Sequence, residues 1–148
     1  MNNLYLYHAT DRKNLAAIKK SGLLVNPPSH NWKDMDCTNR IFLALDASVA
    51  AEYVKESDNP PKDIIILKIN LDALNMSAIK YDWNNKCEYV KDINSCVYYS
   101  DIPENLLQEC NISLEPAQSI YDFQDTELYD ILFDTFWEDC ETNLERKD

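Results

Sequence analysis

A chain of 148 residues fits one domain with room for a core, and a hydrophobic share of 45% with sparse Pro and a single Gly excludes a low-complexity linker. Its net charge of −12 repels phosphate backbones at long range, so a general nucleic-acid binder is disfavoured while a local pocket for a small ligand is not. The segment after Met1 lacks a basic start followed by a long apolar run, and the apolar stretches near 41–45 and 64–67 are too short to cross a membrane, which predicts a soluble, cytoplasmic protein without membrane contact.

In chain order, Leu4-Tyr5-Leu6-Tyr7 reads as a buried strand ending at His8. Thr10 or Asp11 can cap a helix over 12–21 with Leu15 and Ile18 inward, and Gly22 stands where a left-handed residue closes a helix. As the only glycine, Gly22 also rules out a glycine-rich phosphate loop. Residues 25–39 are polar and proline-broken and read as a long loop, with His30 exposed in it. A strand over 40–45 precedes a helix Ala47–Lys55 capped by Asp46, with Val49, Ala50, Tyr53 and Val54 on one face. The apolar run over 63–70 predicts a central strand, and shorter strands are expected at 87–90, 95–99 and 112–114, with a turn at Pro103 and a short helix between the last two.

The tail over 125–144 has helical period. Leu128, Ile131, Leu132, Phe136 and Cys140 form an apolar stripe widened by Tyr129, Phe133 and Trp137, against an acidic row of Glu127, Asp130, Asp134, Glu138, Glu141 and Glu145. Residues 121–148 hold 10 acids against 2 bases, while 1–120 hold 16 against 12. The division expected is therefore a domain over 1–120 with an acidic C-terminal helix, 121–148, packed on it. That acidic face is either solvated or a surface for a basic partner. The five cysteines form no CxxC pair and stand at no zinc spacing from either histidine, so reduced thiols and no metal are expected.

The motifs His8-Ala9-Thr10, Ser21-Gly22-Leu23, Arg40-Ile41-Phe42-Leu43-Ala44, Ala51-Glu52-Tyr53 and the strand from Ser95 into Ile102-Pro103 follow one another in an order that resembles the ADP-ribosyltransferase superfamily. The likeness spans about 4–114 and is nearest to the bacterial RNA 2′-phosphotransferases and the DNA-thymidine ADP-ribosyltransferase toxins, more distantly to the poly(ADP-ribose) polymerases. It implies an α+β fold in which a split pair of short β-sheets with flanking helices forms an NAD cleft, His8 and Tyr53 on its floor. It further implies a mono-ADP-ribosyltransferase with NAD as substrate. His8, Ala9, Thr10, Arg40, Phe42 and Tyr53 would bind NAD: the histidine a ribose hydroxyl, the two rings the nicotinamide, the arginine the diphosphate.

The resemblance also marks a departure. The toxins and polymerases carry a glutamate eight residues before the turn proline, and here that position is Ser95, which bears no charge. With His8, Tyr53 and Ser95 as the catalytic set, a carboxylate to stabilise a cationic ribosyl state is sought nearby, in Asp92 first, then Glu88, with Asp101 also in reach. The charge favours a protein acceptor over a nucleic acid, and a small acidic domain of this type suits a toxin or a phage-encoded modifier. Two other readings are a non-catalytic domain that binds NAD or a partner, and an RNA 2′-phosphotransferase-like enzyme. The second needs arginines beyond Arg12 and Arg40, and the winged-helix lobe of those enzymes has no counterpart in these 148 residues.

Overall fold

The computed structural model describes residues 4–25, 40–57, 60–85 and 87–145. The loop expected over 25–39, His30 and Cys37 among it, lies outside the described residues but for Val25.

Among the described residues the fold is mixed α and β, with one six-stranded, wholly antiparallel sheet and three α-helices. The strands are β1 (Tyr5–Asp11), β2 (Ile41–Ala44), β3 (Ile64–Asn70), β4 (Ile79–Tyr81), β5 (Ser95–Tyr98) and β6 (Gln108–Cys110), in the order β4-β5-β2-β1-β3-β6. The helices are α1 (Leu15–Ser21), α2 (Ala47–Lys55) and α3 (Glu127–Glu145). Where two sheets are expected the structure has one, because β1 and β2 are joined. The joint is narrow: Tyr7 opposite Ala44 is their single paired position, whereas β1 and β3 pair at every residue from Tyr5↔Asn70 to Asp11↔Ile64.

The pleat divides the core in two, since successive side chains leave a strand on opposite faces. Tyr7, Ala9, Ala44 and Ile66 meet Ala47, Ala50, Ala51 and Val54 of α2, and the run of alanines lets this helix lie close against the sheet. Leu6, Leu43, Leu67, Ile69 and Cys96 face the other way, with Ile18 of α1, Ile120, Phe123, and Leu128, Leu132 and Phe136 of α3. The tail therefore packs on the same core as the sheet. Glu127, Asp130, Asp134 and Glu138 of α3 are exposed; the side chains of Cys140, Glu141 and Glu145 lie outside the described set.

Several boundaries differ from expectation for identifiable reasons. β1 does not stop at His8 but continues to Asp11, because Ala9 and Thr10 pair with Ile66 and Ile65. Asp11, not Thr10, caps the next turn by accepting from Lys13 N, and that turn (Arg12–Asn14) is 3-10 before α1 begins. Gly22 has the positive φ expected, +77°, yet its ψ of −169° is extended rather than left-handed helical. That combination is open essentially to glycine alone. A Cβ there would also lie 2.2 Å from the Ile102 carbonyl oxygen, across the Leu23–Ile102 bridge. The strand expected at 87–90 is irregular chain running into a 3-10 turn (Val90–Asp92), and β4 takes the place beside β5. The strand expected over 112–114 is a 3-10 turn, because Asn111 Oδ1 accepts from Ser113 N and folds the chain back on itself.

Candidate functional site

The joint between β1 and β2 places His8. With the ladder reduced to one pair, the Phe42 carbonyl next along β2 is met by a side chain: His8 Nδ1 stands 2.9 Å from it. A carbonyl only accepts, so the proton is on Nδ1 and Nε2 keeps its lone pair as an acceptor. Burial lowers the pKa of the ring, against a smaller raising effect of the bond to Phe42, and His8 is neutral at pH 7. Beside it Ala9 and Thr10 are buried, and Asn14 Nδ2 donates to Thr10 Oγ1 at 3.0 Å. The half-buried Phe42 carries the Arg40 guanidinium 5.8 Å from its ring centroid, and Arg40 Nη1 reaches the Tyr99 hydroxyl at 3.5 Å. Arg12, the other arginine of interest, is committed on the surface to Asp63 (2.9 Å) and Glu109 (3.2 Å).

A second group gathers where α2 faces β5. Asp46 starts α2 by accepting from Ser48 N at 3.1 Å, and Asp46 Oδ1 accepts from Gln118 N at 2.8 Å, which ties the helix start to the chain leading to α3. Two turns on, the Tyr53 hydroxyl donates to Asn94 Oδ1 at 2.8 Å and stands 3.5 Å from Ser95 Oγ. Asn85 Nδ2 lies 2.8 Å from Asn94 Oδ1, 3.0 Å from Ser95 Oγ and against the Tyr53 hydroxyl, three oxygens that share its two protons. Ser95 Oγ donates in turn to Asp82 Oδ2 at 3.1 Å. Burial pushes the Tyr53 phenol above its ordinary pKa, and the negative charges of Asp82 and Glu56 push the same way.

The two groups are linked through β2. Ala44 lies opposite Tyr7 of β1 on one side and opposite Ser95 of β5 on the other, and Phe42 is two residues before it. The structure thus brings His8, Arg40 and Phe42 together, and Tyr53 and Ser95 together. Of the acids sought near Ser95, Glu88 and Asp92 are exposed on the β4–β5 connection, and exposed Asp101 accepts from Val25 N at 2.8 Å.

A carboxylate outside that set bonds to Ser95: Asp82, only 5% exposed, accepts from Ser95 Oγ. Its signal was present but short. The apolar-polar-apolar triplet Ile79-Lys80-Tyr81 is β4, whose last pair is Tyr81↔Cys96, and one step further sets Asp82 across from Ser95.

Among the described residues no group of three or more His, Cys, Asp or Glu side chains could hold a metal ion. Cys87, Cys96 and Cys110 stand outside any disulfide among the described residues, and burial raises the pKa of Cys110 to about 11. No described helix is long and apolar enough to cross a membrane. No protein family's profile matches the chain, and no curated protein does.

Proposed function

We propose that the chain is a mono-ADP-ribosyltransferase that takes NAD as substrate and passes ADP-ribose to a macromolecular acceptor. The observation that carries this reading is His8, a neutral imidazole fixed by the Phe42 carbonyl with Nε2 kept as an acceptor for a ribose hydroxyl. A rigid acceptor costs little ordering when the ligand binds, which is what positioning a ribose requires. Phe42 and Tyr53 supply two aromatic rings for the nicotinamide, Ala9 and Thr10 the adjoining strand, and Arg40 a planar cation for the diphosphate.

In the reaction the bond from ribose C1′ to the nicotinamide nitrogen breaks, nicotinamide leaves with the electron pair, and an acceptor nucleophile closes on the cationic ribosyl carbon and releases its proton. Tyr53 and Ser95 stand on the β5 side of the site, with Glu88 and Asp92 on the connection before it. A protein acceptor fits the charge of −12 better than a nucleic acid, and the exposed acids of α3 offer a basic acceptor protein somewhere to rest. The ADP-ribosyltransferase architecture, with its NAD cleft between two halves of the sheet, belongs to this proposal. The narrow β1–β2 joint supports it.

One observation favours a second reading, an NAD-binding domain without turnover: Ser95 is 4% exposed and uncharged where the toxins and polymerases hold a glutamate. Incubation with NAD labelled on its adenylate portion, with cell lysate as acceptor, separates the two. Released nicotinamide together with labelled protein supports the transferase. Saturable NAD binding with no release supports the second reading, and absence of binding removes both.

A further inference from the structure

We propose that Asp82 is a positioning carboxylate of the NAD site, holding Ser95 directly and the Tyr53 hydroxyl through Asn85 and Asn94. The inference rests on the NAD reading above and names a residue that the resemblance does not supply.

Its first support is burial. A carboxylate withdrawn from water is costly unless hydrogen bonds replace its hydration, and Asp82, 5% exposed, accepts from Ser95 Oγ at 3.1 Å. Its second is direction. An ionised carboxylate only accepts, so the single hydroxyl proton of Ser95 is spent on Asp82, and the Ser95 oxygen is left to accept from Asn85 Nδ2 at 3.0 Å. The same Asn85 nitrogen also lies against Asn94 Oδ1 and the Tyr53 hydroxyl, so three oxygens share its two protons, and the Tyr53 proton goes to Asn94 Oδ1 at 2.8 Å.

Four polar side chains from the end of β4, the turn after it and the start of β5 are thus committed to one phenol on α2. A ring needed only for packing would require none of them, since phenylalanine fills such a place without a buried polar network. The arrangement instead fixes the Tyr53 ring and sets a negative charge behind it. In NAD the positive charge sits on the nicotinamide ring nitrogen and passes to the ribose as the bond breaks and neutral nicotinamide leaves. A negative charge on the ribose side of the site follows that shift, so its benefit falls on turnover more than on binding.

The test uses the whole protein with NAD. Asp82→Asn keeps the size and an acceptor for Ser95 while removing the charge. It is expected to slow nicotinamide release about tenfold or more while NAD affinity stays within about threefold. The split between turnover and affinity separates positioning from a merely structural role, and the Tyr53 phenol reports whether the charge of Asp82 reaches that ring. Its titration, read as the ultraviolet difference between each protein and its Tyr53→Phe counterpart, should fall toward the ordinary tyrosine range in Asp82→Asn, because one of the two charges raising it is gone and Glu56 alone remains.

Ser95→Ala, which cuts the link and leaves Asp82 in place, supplies a second variant should the first fail to fold. It too should lower turnover more than affinity. Parent-like turnover in the folded variants overturns the proposal, as does a parallel loss of affinity and turnover or an unmoved Tyr53 titration. A parent that neither binds nor cleaves NAD overturns the NAD reading itself and this inference with it. A parent that cleaves NAD beside an unimpaired Asp82→Asn overturns the Asp82 assignment alone.

Discussion

A histidine bonded through Nδ1 to a carbonyl is held in one tautomer, and burial at His8 adds a pH dependence of definite sign. Its pKa is lowered in the fold, so between that value and the ordinary one near about 6.5 the unfolded chain binds a proton that the native protein does not. Stability is therefore whole above that range and is lost as pH falls through it. His8→Gln should flatten the slope of unfolding free energy against pH just below about pH 6.5, by up to about 1.4 kcal/mol per unit, in denaturant titrations. Equal slopes in the two proteins would assign the proton uptake to another group.

His8 was legible because the sequence holds only two histidines and this one terminates an aromatic run. Asp82 was not. Nothing local separates it from the other acids of the domain, and what buries it is the pairing of two strands that lie 13 positions apart at Asp82 and Ser95.

At the scale of elements, strong period and capping carried the reading. α2 occupies the residues expected and β3 nearly so, because the first has an Asp cap and inward alanines and the second a run of isoleucines buried on both faces. The elements that escaped are those whose residues carry no period. β6 is Gln108-Glu109-Cys110, an edge strand with its polar side chains exposed, whereas apolar Ile112 and Leu114, the latter 79% exposed, mimic a strand and form a turn.

The connection from α1 to the Leu23–Ile102 bridge depends on Gly22, and Gly22→Ala tests it. The new Cβ would meet the Ile102 carbonyl and force a backbone conformation that side chains avoid, so unfolding should come easier by about 1–3 kcal/mol. A thermal midpoint unchanged from the parent would show that this bridge contributes nothing.

Over the whole molecule, α3 gains its place by packing alone. Its exposed Glu127, Asp130, Asp134 and Glu138 repel one another at spacings of three and four, by a few tenths of a kcal/mol per pair, whereas each buried leucine or phenylalanine contributes about 1.5–3 kcal/mol. The apolar stripe wins by a wide margin. Leu132→Ala, at a side chain with no exposure, should cost about 2–5 kcal/mol by chemical denaturation, while Asp134→Asn should cost nothing or stabilise slightly. A small loss at Leu132 would mean that the sheet does not need this cover.

What the molecule as a whole is for turns on one proposition, that the His8–Phe42 joint and Tyr53 hold a single nicotinamide riboside. The direct measurement is nicotinamide released from NAD by the parent, His8→Ala, Tyr53→Ala and His30→Ala proteins, with NAD affinity followed in parallel. Release by the parent is expected, with a loss of about tenfold or more in affinity or turnover for each of the first two variants, about 1.4 kcal/mol, and a His30→Ala protein close to the parent. Equal behaviour of the His8 and His30 variants, or a parent that leaves NAD intact and unbound, would contradict it.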